Sequence, residues 1–292
     1  MRLKIAIQKS GRLAENALDL LTRCGLTFAQ SKNKLFCYGR SLPLDLLYVR
    51  GDDIPQLLTD NVCQLAILGQ NTIREFDLAN KTADDLCELR RLDFGQCRFA
   101  IAVPDAMDYS STKDLQGLRI ATSYPATLLD FLNSQGVQAT AVKLSGSVEV
   151  APQLGTADAI ADIVSTGATL KANALKEVQV VQQIQAAIFR APHSFSEPAE
   201  QLVQRLLKRI DGVQQARESK YVMLHAPRSA VDAISDLLPG AESPTVLPLE
   251  GSDDKVAVHA VCREGVFWDH LEQLRDAGAS AVLVLPIEKM LV

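Results

Sequence analysis

Short apolar runs alternate with amphipathic stretches over the first two thirds of the chain. Lys4–Gln8 predicts a strand, and Leu13–Cys24, closed by Gly25, predicts a helix. Another helix is predicted to open at Asp52-Asp53, because carboxylates favour a helix N-terminus. Further apolar runs of strand length occur at Asp45–Val49, Leu65–Leu68, Phe99–Val103, Leu118–Ala121 and Ala159–Val164. This alternation is typical of an α/β fold with largely parallel sheets.

A weak internal repeat predicts two lobes. Lys4–Gly25 and Arg119–Gly136 each contain a strand, a polar turn and the start of a helix. Ligands of such sheets bind beyond the carboxyl ends of the strands, so both turns are expected to face one cleft. The alternative is that any α/β protein offers pairs of this kind.

The last third of the chain has a different order of elements. Strands and helices are predicted at Lys220–His225, Arg228–Leu238, Thr245–Leu249, Lys255–Cys262, Val266–Ala277 and Ser280–Leu285. That order, βαββαβ, is the ferredoxin-like split unit. A helix over about Pro198–Glu218 is predicted to connect it to the preceding part. Modules of this kind commonly bind small ligands or pair edge to edge.

Composition and charge narrow the class of protein. The chain has 292 residues, 47% of them apolar and 22% charged, with a formal charge of −5. This acidity argues against nucleic acid as a partner, and an anionic substrate would need local cations, backbone amides or a metal ion. No run is long and apolar enough to span a membrane. The opening Met1–Lys9 turns polar too soon for a signal peptide, so we expect a cytoplasmic protein.

The cysteines and histidines show no ligand spacing. The cysteines stand far apart in the sequence, at Cys24, Cys37, Cys63, Cys87, Cys97 and Cys262. A disulfide frame or a protein-built metal site therefore has no support, and we expect reduced, mostly buried thiols.

The segment Glu149–Leu170 carries the strongest chemical pattern. Asp158 and Asp162 precede a turn rich in hydroxyls, Ser165–Thr169, and a helix is predicted behind it at Leu170–Lys176. Backbone N–H groups at a helix start favour a phosphate, and carboxylates accept hydrogen bonds from sugar hydroxyls. The order of these features predicts a site for a phosphorylated ribose. The alternative is a plain strand-to-helix turn with solvated aspartates.

This segment resembles the signature of ATP phosphoribosyltransferase, the first enzyme of histidine biosynthesis. The matching positions are Glu149, Gly155, Ala157, Ile160, Asp162, Ile163, Thr166, Gly167, Thr169 and Leu170. The resemblance extends from Ile5 to Lys289 and is to the long form. It implies a two-lobed, periplasmic-binding-protein-like catalytic core and a C-terminal ferredoxin-like (ACT-like) regulatory domain. The implied division is lobe I at 1–94 plus 178–218, lobe II at 95–177, and the regulatory domain at 219–292.

The resemblance implies that N1 of the ATP adenine attacks C1 of phosphoribosyl pyrophosphate and displaces pyrophosphate. It also implies that Mg²⁺ is bound with the substrate phosphates. No strong general base is needed, since N1 already has a lone pair. Carboxylates are then expected near the sugar and cations near the leaving group. We assign catalytic roles to Lys9, Glu149 and Asp162. Asp162 and Asp158 are expected to bind ribose hydroxyls, and the 5′-phosphate is assigned to the turn residues Ser165, Thr166, Gly167, Ala168 and Thr169.

Other polar residues at strand ends are candidates for substrate contacts. Arg12 and Arg50 follow the first strand and the strand before Asp52, and Arg98 ends an arginine-rich crossing between lobes. Ser123 and Tyr124 occupy the turn of the second lobe, where the ring could stack on a base. A solvated face is the alternative for the arginines, and packing against a neighbouring loop is the alternative for the tyrosine.

The resemblance also implies regulation and assembly. Long-form enzymes bind the inhibitor histidine at the position of Ser243-Pro244-Thr245, with Thr245 the best candidate contact. Family members with an aspartate after Met-Leu of the preceding strand use it on the ligand's amino group, whereas here His225 follows Met223-Leu224. A homo-oligomer, dimer or hexamer, is implied.

Competing interpretations come from other classes. A two-lobed small-molecule sensor would show the same alternation of strands and helices, and an inactive regulatory paralogue would keep the fold. The paralogue should have lost Lys9, the acid pair or the phosphate turn, and all three are present. A base-salvage phosphoribosyltransferase shares the acids and turn but not the C-terminal module.

Overall fold

The computed structural model describes residues 2–29, 35–81, 86–240 and 243–290. The chain forms two compact units. The first comprises Met1–Asp19 and Leu26–Ala199, and the second comprises Leu20–Gly25 and Glu200–Val292.

The first unit contains the predicted alternation of strands and helices. Its strands are β1 Leu3–Gln8, β2 Phe36–Cys37, β3 Leu44–Val49, β4 Leu65–Gly69, β5 Cys87–Arg91, β6 Cys97–Pro104, β7 Arg119–Thr122, β8 Thr140–Lys143, β9 Ala159–Val164, β10 Leu175–Ile184 and β11 Ala186–Arg190. Its helices are α1 Arg12–Arg23, whose residues from Leu20 onward are assigned to the second unit, α2 Ile54–Thr59, α3 Gln70–Asn80, α4 Pro125–Ser134 and α5 Ala168–Ala172. Short 3₁₀ turns occur at Gly51–Asp53, Thr112–Leu115 and Val148–Val150.

Two sheets define two lobes within this unit. The sheet of lobe I has the order β2-β3-β1-β4-β11-β5, and that of lobe II the order β10-β6-β9-β7-β8. Buried apolar side chains such as Leu68 and Phe189 pack in lobe I, and Phe99 and Leu128 pack in lobe II. Each lobe therefore has its own core.

The sheets are mixed rather than largely parallel, which corrects the sequence prediction. β3, β1 and β4 run parallel in lobe I, as do β8, β7 and β9 in lobe II. The strands flanking the lobe crossings run antiparallel to their neighbours. The chain crosses from β5 to β6 and returns from β10 to β11. The strands reached after each crossing, β6 and β11, run opposite to the parallel strands of their sheets, whereas β5 and β10 run with them.

The return crossing lies later than the sequence division placed it. β10 pairs with β6 through Ile184, so position 177/178 falls inside a strand of lobe II. At the outgoing crossing, Gly95 has φ +73°, and a Cβ there would lie 3.0 Å from Cβ of Ala186. Both the left-handed backbone and this close approach favour glycine where the two crossings pack together.

The internal repeat is confirmed. β1 leads through a polar turn into α1, and β7 leads through Ser123 and Tyr124 into α4. The carboxyl ends of β1, β3 and β4 share one edge of their sheet, and those of β7, β8 and β9 share one edge of theirs.

The second unit has the predicted βαββαβ order after a long helix. Its elements are α6 Glu197–Glu218, β12 Ser219–Pro227, α7 Val231–Leu237, β13 Thr245–Pro248, β14 Lys255–Arg263, α8 Glu264–Asp276 and β15 Ser280–Pro286. The strands form an antiparallel sheet in the order β13-β14-β12-β15, which is the ferredoxin-like arrangement. Val222, Val258 and Leu274 are among the residues of its buried core.

Side chains alternate between the two faces of this sheet. Val222 and Leu224 are buried, whereas Met223 between them is only half-buried. Leu283, paired with Met223, is 51% exposed and Leu285 is 49% exposed. One face of the module therefore carries exposed apolar side chains.

None of the helices among the described residues is long and apolar enough to cross a membrane.

Candidate functional site between the sheet edges

Cations stand at the edge of lobe I. Gln8 and Val49 are partners in the β1–β3 register, so the residues that follow them, Lys9 and Arg50, lie side by side. The backbone N–H of Lys9 donates to the carbonyl of Val49 at 2.8 Å. Lys9, Arg50 and Arg12, the first residue of α1, are all exposed. This edge can hold an anion in contact with water.

Tyr124 connects the edges of the two lobes. It follows β7 in lobe II, and its hydroxyl hydrogen-bonds Asn71, which lies in the first turn of α3 in lobe I. Its ring packs edge-on against Phe99 with a centroid separation of 5.5 Å. Burial, together with the charges of Asp52 and Asp162, raises the pKa of Tyr124 to about 12. The carboxyl ends of strands in both lobes therefore face a common cleft, as the repeat predicted.

Asp162 lies in β9, two residues before the strand ends. Burial is the main reason that its pKa is raised, and the negative charge of Glu149 adds to it, while the N–H of Ile163, 2.8 Å away, acts in the opposite direction. Glu149 belongs to the 3₁₀ turn that follows β8. The structure thus brings the two predicted carboxylates near each other at the edge of lobe II.

The turn Ser165–Thr169 continues directly from β9. The hydroxyl-bearing residues Ser165, Thr166 and Thr169 are exposed, and the N–H of Ala168 contacts Oγ1 of Thr166 at 3.4 Å. Gly167 has φ +78° as the residue that opens α5. A Cβ at this position would meet only Val164, at 4.0 Å, so the backbone conformation favours glycine here.

The helix behind the turn is shorter and earlier than predicted. It covers Ala168–Ala172, and Leu175 already begins β10. The predicted helix at Leu170–Lys176 was wrong in extent because Leu175 and Lys176 pair with Pro104 and Val103 of β6. Tertiary pairing overrides the helix propensity of this stretch.

Arg98 braces the turn. Its Nε and Nη2 each donate to the carboxylate of Glu177 at 2.6 Å, and its Nη1 donates to the carbonyl of Ser165 at 3.0 Å. The paired carboxylate raises the pKa of Arg98. The geometry therefore favours support of the turn Ser165–Thr169 over the predicted direct contact with a substrate.

Asp158 does not lie with Asp162. It precedes β9, four residues before Asp162, which separates the two by about 13 Å along an extended strand. Its oxygens accept hydrogen bonds from the guanidinium Nη2 of Arg119 at 2.8 Å and from its backbone N–H at 2.9 Å. Those bonds lower the pKa of Asp158. The geometry favours a role in fixing the start of the strand over the expected contact of Asp158 with ribose hydroxyls.

The hydroxyl of Ser123 also makes a hydrogen bond within the protein. Its Oγ donates to the carbonyl of Leu144 at 2.8 Å and joins the turns that follow β7 and β8. The geometry favours loop positioning over the predicted substrate contact.

Sequence reasoning missed two cleft residues of lobe I, Asp52 and Asn71. Asp52 was interpreted only as a helix-opening acid, and Asn71 was not singled out. The available signal was the rule that already selected Lys9, namely a polar residue just beyond the end of a strand.

In the second unit, Thr245 opens β13 and is paired with His259 of β14. Nδ1 of His259 hydrogen-bonds the hydroxyl of Tyr221. His225 is paired with Ala257, two residues from His259 on the same strand. Thr245 and His225 therefore lie on the same face of the sheet, two strands apart and two residues out of line, which separates them by about 12 Å.

Among the described residues, no cluster of three or more His, Cys, Asp or Glu side chains could hold a metal ion. The cysteines are free thiols, of which Cys24, Cys37, Cys63 and Cys262 are buried. Burial raises the pKa of Cys24 and Cys63 to about 12, so these thiols are structural.

The cleft sets exposed cations of one lobe against carboxylates and a hydroxyl-rich turn of the other. This is the arrangement of a two-lobed α/β transferase that handles a phosphorylated sugar with an anionic leaving group. Residues 50–212 match the family model described as ATP phosphoribosyltransferase, and residues 216–289 match the HisG C-terminal domain. The chain belongs to the ATP phosphoribosyltransferase family, in its long form. Its activity is the pentosyltransferase reaction of ATP with 5-phosphoribosyl 1-pyrophosphate in histidine biosynthesis.

Three solved structures illustrate what this chain is similar to. The ATP phosphoribosyl transferase (HisG:HisZ) complex from Thermotoga maritima contains a chain that aligns with 27% identity and a TM-score of 0.60, over 72% of this chain and 98% of that one. The alkanesulfonate-binding protein SsuA from Xanthomonas axonopodis pv. citri aligns with 20% identity and a TM-score of 0.45, over 73% of each chain. The aliphatic sulphonate-binding protein SsuA from Escherichia coli aligns with 19% identity and a TM-score of 0.46, over 72% of this chain and 67% of that one.

Proposed function

We propose that the phosphoribosyl donor binds at the end of β9 and that Asp162 and Glu149 stabilise its sugar ring during transfer. The observation that carries this proposal is the pair itself: Asp162, just before an exposed, hydroxyl-rich turn, lies near the carboxylate of Glu149. The 5′-phosphate is assigned to the turn Ser165–Thr169. Arg98 acts indirectly, by holding the carbonyl of Ser165.

The charge state of the pair explains how it would act. Cleavage of the C1–O bond builds positive charge on the ribose ring. The two carboxylates repel each other in a poorly solvated position, as the raised pKa of Asp162 indicates. A cationic ring next to them relieves that repulsion, so the interaction is stronger in the transition state than in the bound substrate.

The departing pyrophosphate is assigned to Lys9, Arg12 and Arg50. These exposed cations lie at the edge of lobe I, across the cleft from the sugar site. N1 of adenine attacks C1 with its own lone pair, so we assign no general base. Fixing both substrates between the lobes then supplies much of the acceleration.

The residues also fit a Mg²⁺ ion that arrives with the substrate. Mg²⁺ is held by one or two carboxylates plus substrate phosphates rather than by a protein cage. Asp162 and Glu149 are oxygen donors of this kind at the edge of lobe II. When bound, the ion would neutralise charge on the leaving pyrophosphate.

We propose that histidine inhibits the enzyme through the C-terminal module, 219–292. Thr245 and His225 share one sheet face and present a hydroxyl and an imidazole to a small polar ligand. We expect Thr245→Val to raise the histidine concentration for half-inhibition by about tenfold, because a hydrogen bond to a charged ligand is lost. Uninhibited kcat should stay unchanged, and an unaltered inhibition curve would remove Thr245 from the site.

A homo-oligomer is proposed from the same module. The exposed side chains of Leu283, Leu285 and Leu247 form an apolar face of the kind that copies of a chain bury. Sedimentation of the purified chain, with and without histidine, tests this.

A cytoplasmic location is proposed from the nucleotide substrates and the free thiols.

The ultraviolet assay of the purified chain with ATP, phosphoribosyl pyrophosphate and Mg²⁺ tests the proposal as a whole. Pyrophosphatase is added to draw the reaction forward. Adduct absorbance that grows and is suppressed by histidine supports both the transfer and the regulatory module. Growth without suppression contradicts the proposed inhibition, and no adduct contradicts the proposed site.

A further inference from the structure

A carboxylate of lobe I caps a helix of lobe II. Oε1 of Glu75, on α3, accepts a hydrogen bond from the backbone N–H of Ala126 at 2.9 Å. Oε2 accepts from the backbone N–H of Thr127 at 2.8 Å and from its Oγ1, also at 2.8 Å. The first turn of α4 is thus completed by a residue some 50 positions earlier, from the other lobe.

Helix α4 makes no such cap for itself. Its N-cap residue, Tyr124, gives no side-chain cap, and Pro125 at the next position has no N–H. The first N–H groups that need a partner are therefore those of Ala126 and Thr127. A carboxylate is also the favourable charge at this end of a helix. Thr127 is only 1% exposed, so water is a poor substitute for Glu75.

The same face of α3 holds α4 at further points. Asn71, one turn before Glu75, hydrogen-bonds the hydroxyl of Tyr124. Arg74 forms an ion pair with Asp130 at 3.0 Å on the exposed side of the contact. Residues three and four positions apart share a helix face, which places these contacts together. Tyr124 and the start of α4 are therefore fixed relative to lobe I.

We infer that Glu75 is a positioning residue: its cap on α4 sets the separation between the cations of lobe I and the sugar site of lobe II. The inference rests on the proposed function, because each lobe supplies half of the transfer site. Loss of the cap would leave each half-site intact and misplace one against the other. Misplacement by about 1 Å is enough to lower turnover by about a hundredfold.

The test is a comparison of Glu75→Ala, Glu75→Gln and the matched neighbour Arg74→Ala. We expect Glu75→Ala to lower kcat at least tenfold at a temperature well below unfolding. The Kd of each substrate measured alone by calorimetry should stay within about threefold of wild type. Glu75→Gln keeps one acceptor oxygen, so its kcat should lie between those of Glu75→Ala and wild type. Arg74→Ala removes an exposed ion pair and should stay within about twofold of wild type.

Equal kcat for Glu75→Ala and wild type, per folded molecule, would overturn the inference. A parallel loss of kcat and of both separate affinities would also overturn it, since that pattern belongs to a purely structural residue.

Hydrogen exchange separates this inference from the proposed function, because it needs no turnover. We expect the amides of Ala126 and Thr127 to lose protection in Glu75→Ala and to keep it in Arg74→Ala. An inactive wild type would contradict the proposed function alone. Unchanged exchange in Glu75→Ala would contradict the cap itself.

Discussion

The two ends of strand β9 carry the same residue type in opposite surroundings. At its start, Asp158 is locked by the guanidinium and N–H of Arg119, which lower its pKa. Near its end, Asp162 is largely withdrawn from water next to Glu149, and its pKa is raised. One end uses a carboxylate to stabilise the fold, and the other holds a carboxylate in a state that costs stability. The contrast supports the proposal that the carboxyl end of the strand is the functional one, since a desolvated carboxylate next to a like charge, with no cation to offset it, is typical of functional sites.

The largest effect is expected from Asp162→Asn. Removal of the carboxylate should lower kcat by about a hundredfold or more, as is typical when a preorganised charge is lost from the transition state. The melting temperature at neutral pH should stay level or rise, because the variant no longer keeps a desolvated charge. Kinetics and calorimetry on one preparation check both. A large drop in both quantities would make Asp162 a structural residue like Asp158.

Thr169→Val tests the turn Ser165–Thr169, which follows the carboxyl end of β9. Loss of a hydroxyl that bonds a phosphate should weaken binding of the phosphoribosyl donor by about tenfold or more. ATP binding should be unchanged, because the turn is assigned to the donor alone. Titration calorimetry with each substrate separately measures this, and Thr156→Val serves as a matched control outside the turn. Equal donor affinity in the variant and wild type would remove Thr169 from the site.

A smaller effect is expected from Arg98→Lys. Lysine cannot reproduce the two-pronged bond to Glu177 together with the bond to the Ser165 carbonyl. Donor affinity should fall by about threefold to tenfold through a looser turn, with the Kd of ATP unchanged. Weakening of ATP binding instead would support a direct contact between Arg98 and ATP.

Asp158→Asn should have the smallest effect on turnover, within about twofold of wild type. The Arg119 pair is partly exposed, so its loss should change stability only slightly. The pH dependence of stability distinguishes the two acids. The contribution of Asp158, whose pKa is lowered, is present above the ordinary value of 3.8 and is lost as the pH falls through the lowered value.

The contribution of Asp162 has the opposite sign. Because its pKa is raised, the folded state binds its proton more tightly, and stability is lost as the pH rises from 3.8 through the raised value. Relative to wild type, Asp162→Asn should therefore gain stability as the pH rises, and Asp158→Asn should lose it. Melting curves of both variants over pH 3–7 provide the test. Parallel curves would contradict the contrast between the two ends of β9.

Local patterns predicted β1, α1, β9 and the βαββαβ module, because their apolar spacing agrees with the structure that forms. The turn Ser165–Thr169 was also predictable, since its hydroxyls and Gly167 are contiguous in the sequence. The extent of α5 was not, because a propensity for helix gave way to pairing between β10 and β6.

Long-range partners explain the remaining errors at the site. Glu177 lies 79 positions from Arg98, and Arg119 lies 39 positions from Asp158. Each pairing depends on sheet order, which a single sequence does not specify. Asp158 and Asp162 are only four positions apart in the sequence, so they were predicted to act as one acid pair. In the structure the extended strand β9 separates them.

The two ends of β9 are compared most directly by measuring kcat for wild type, Asp158→Asn and Asp162→Asn side by side in the adduct assay, with both substrates saturating. We expect kcat of Asp158→Asn to stay within about twofold of wild type and kcat of Asp162→Asn to fall by about a hundredfold. Similar losses in the two variants would contradict the division of roles between the two ends of β9.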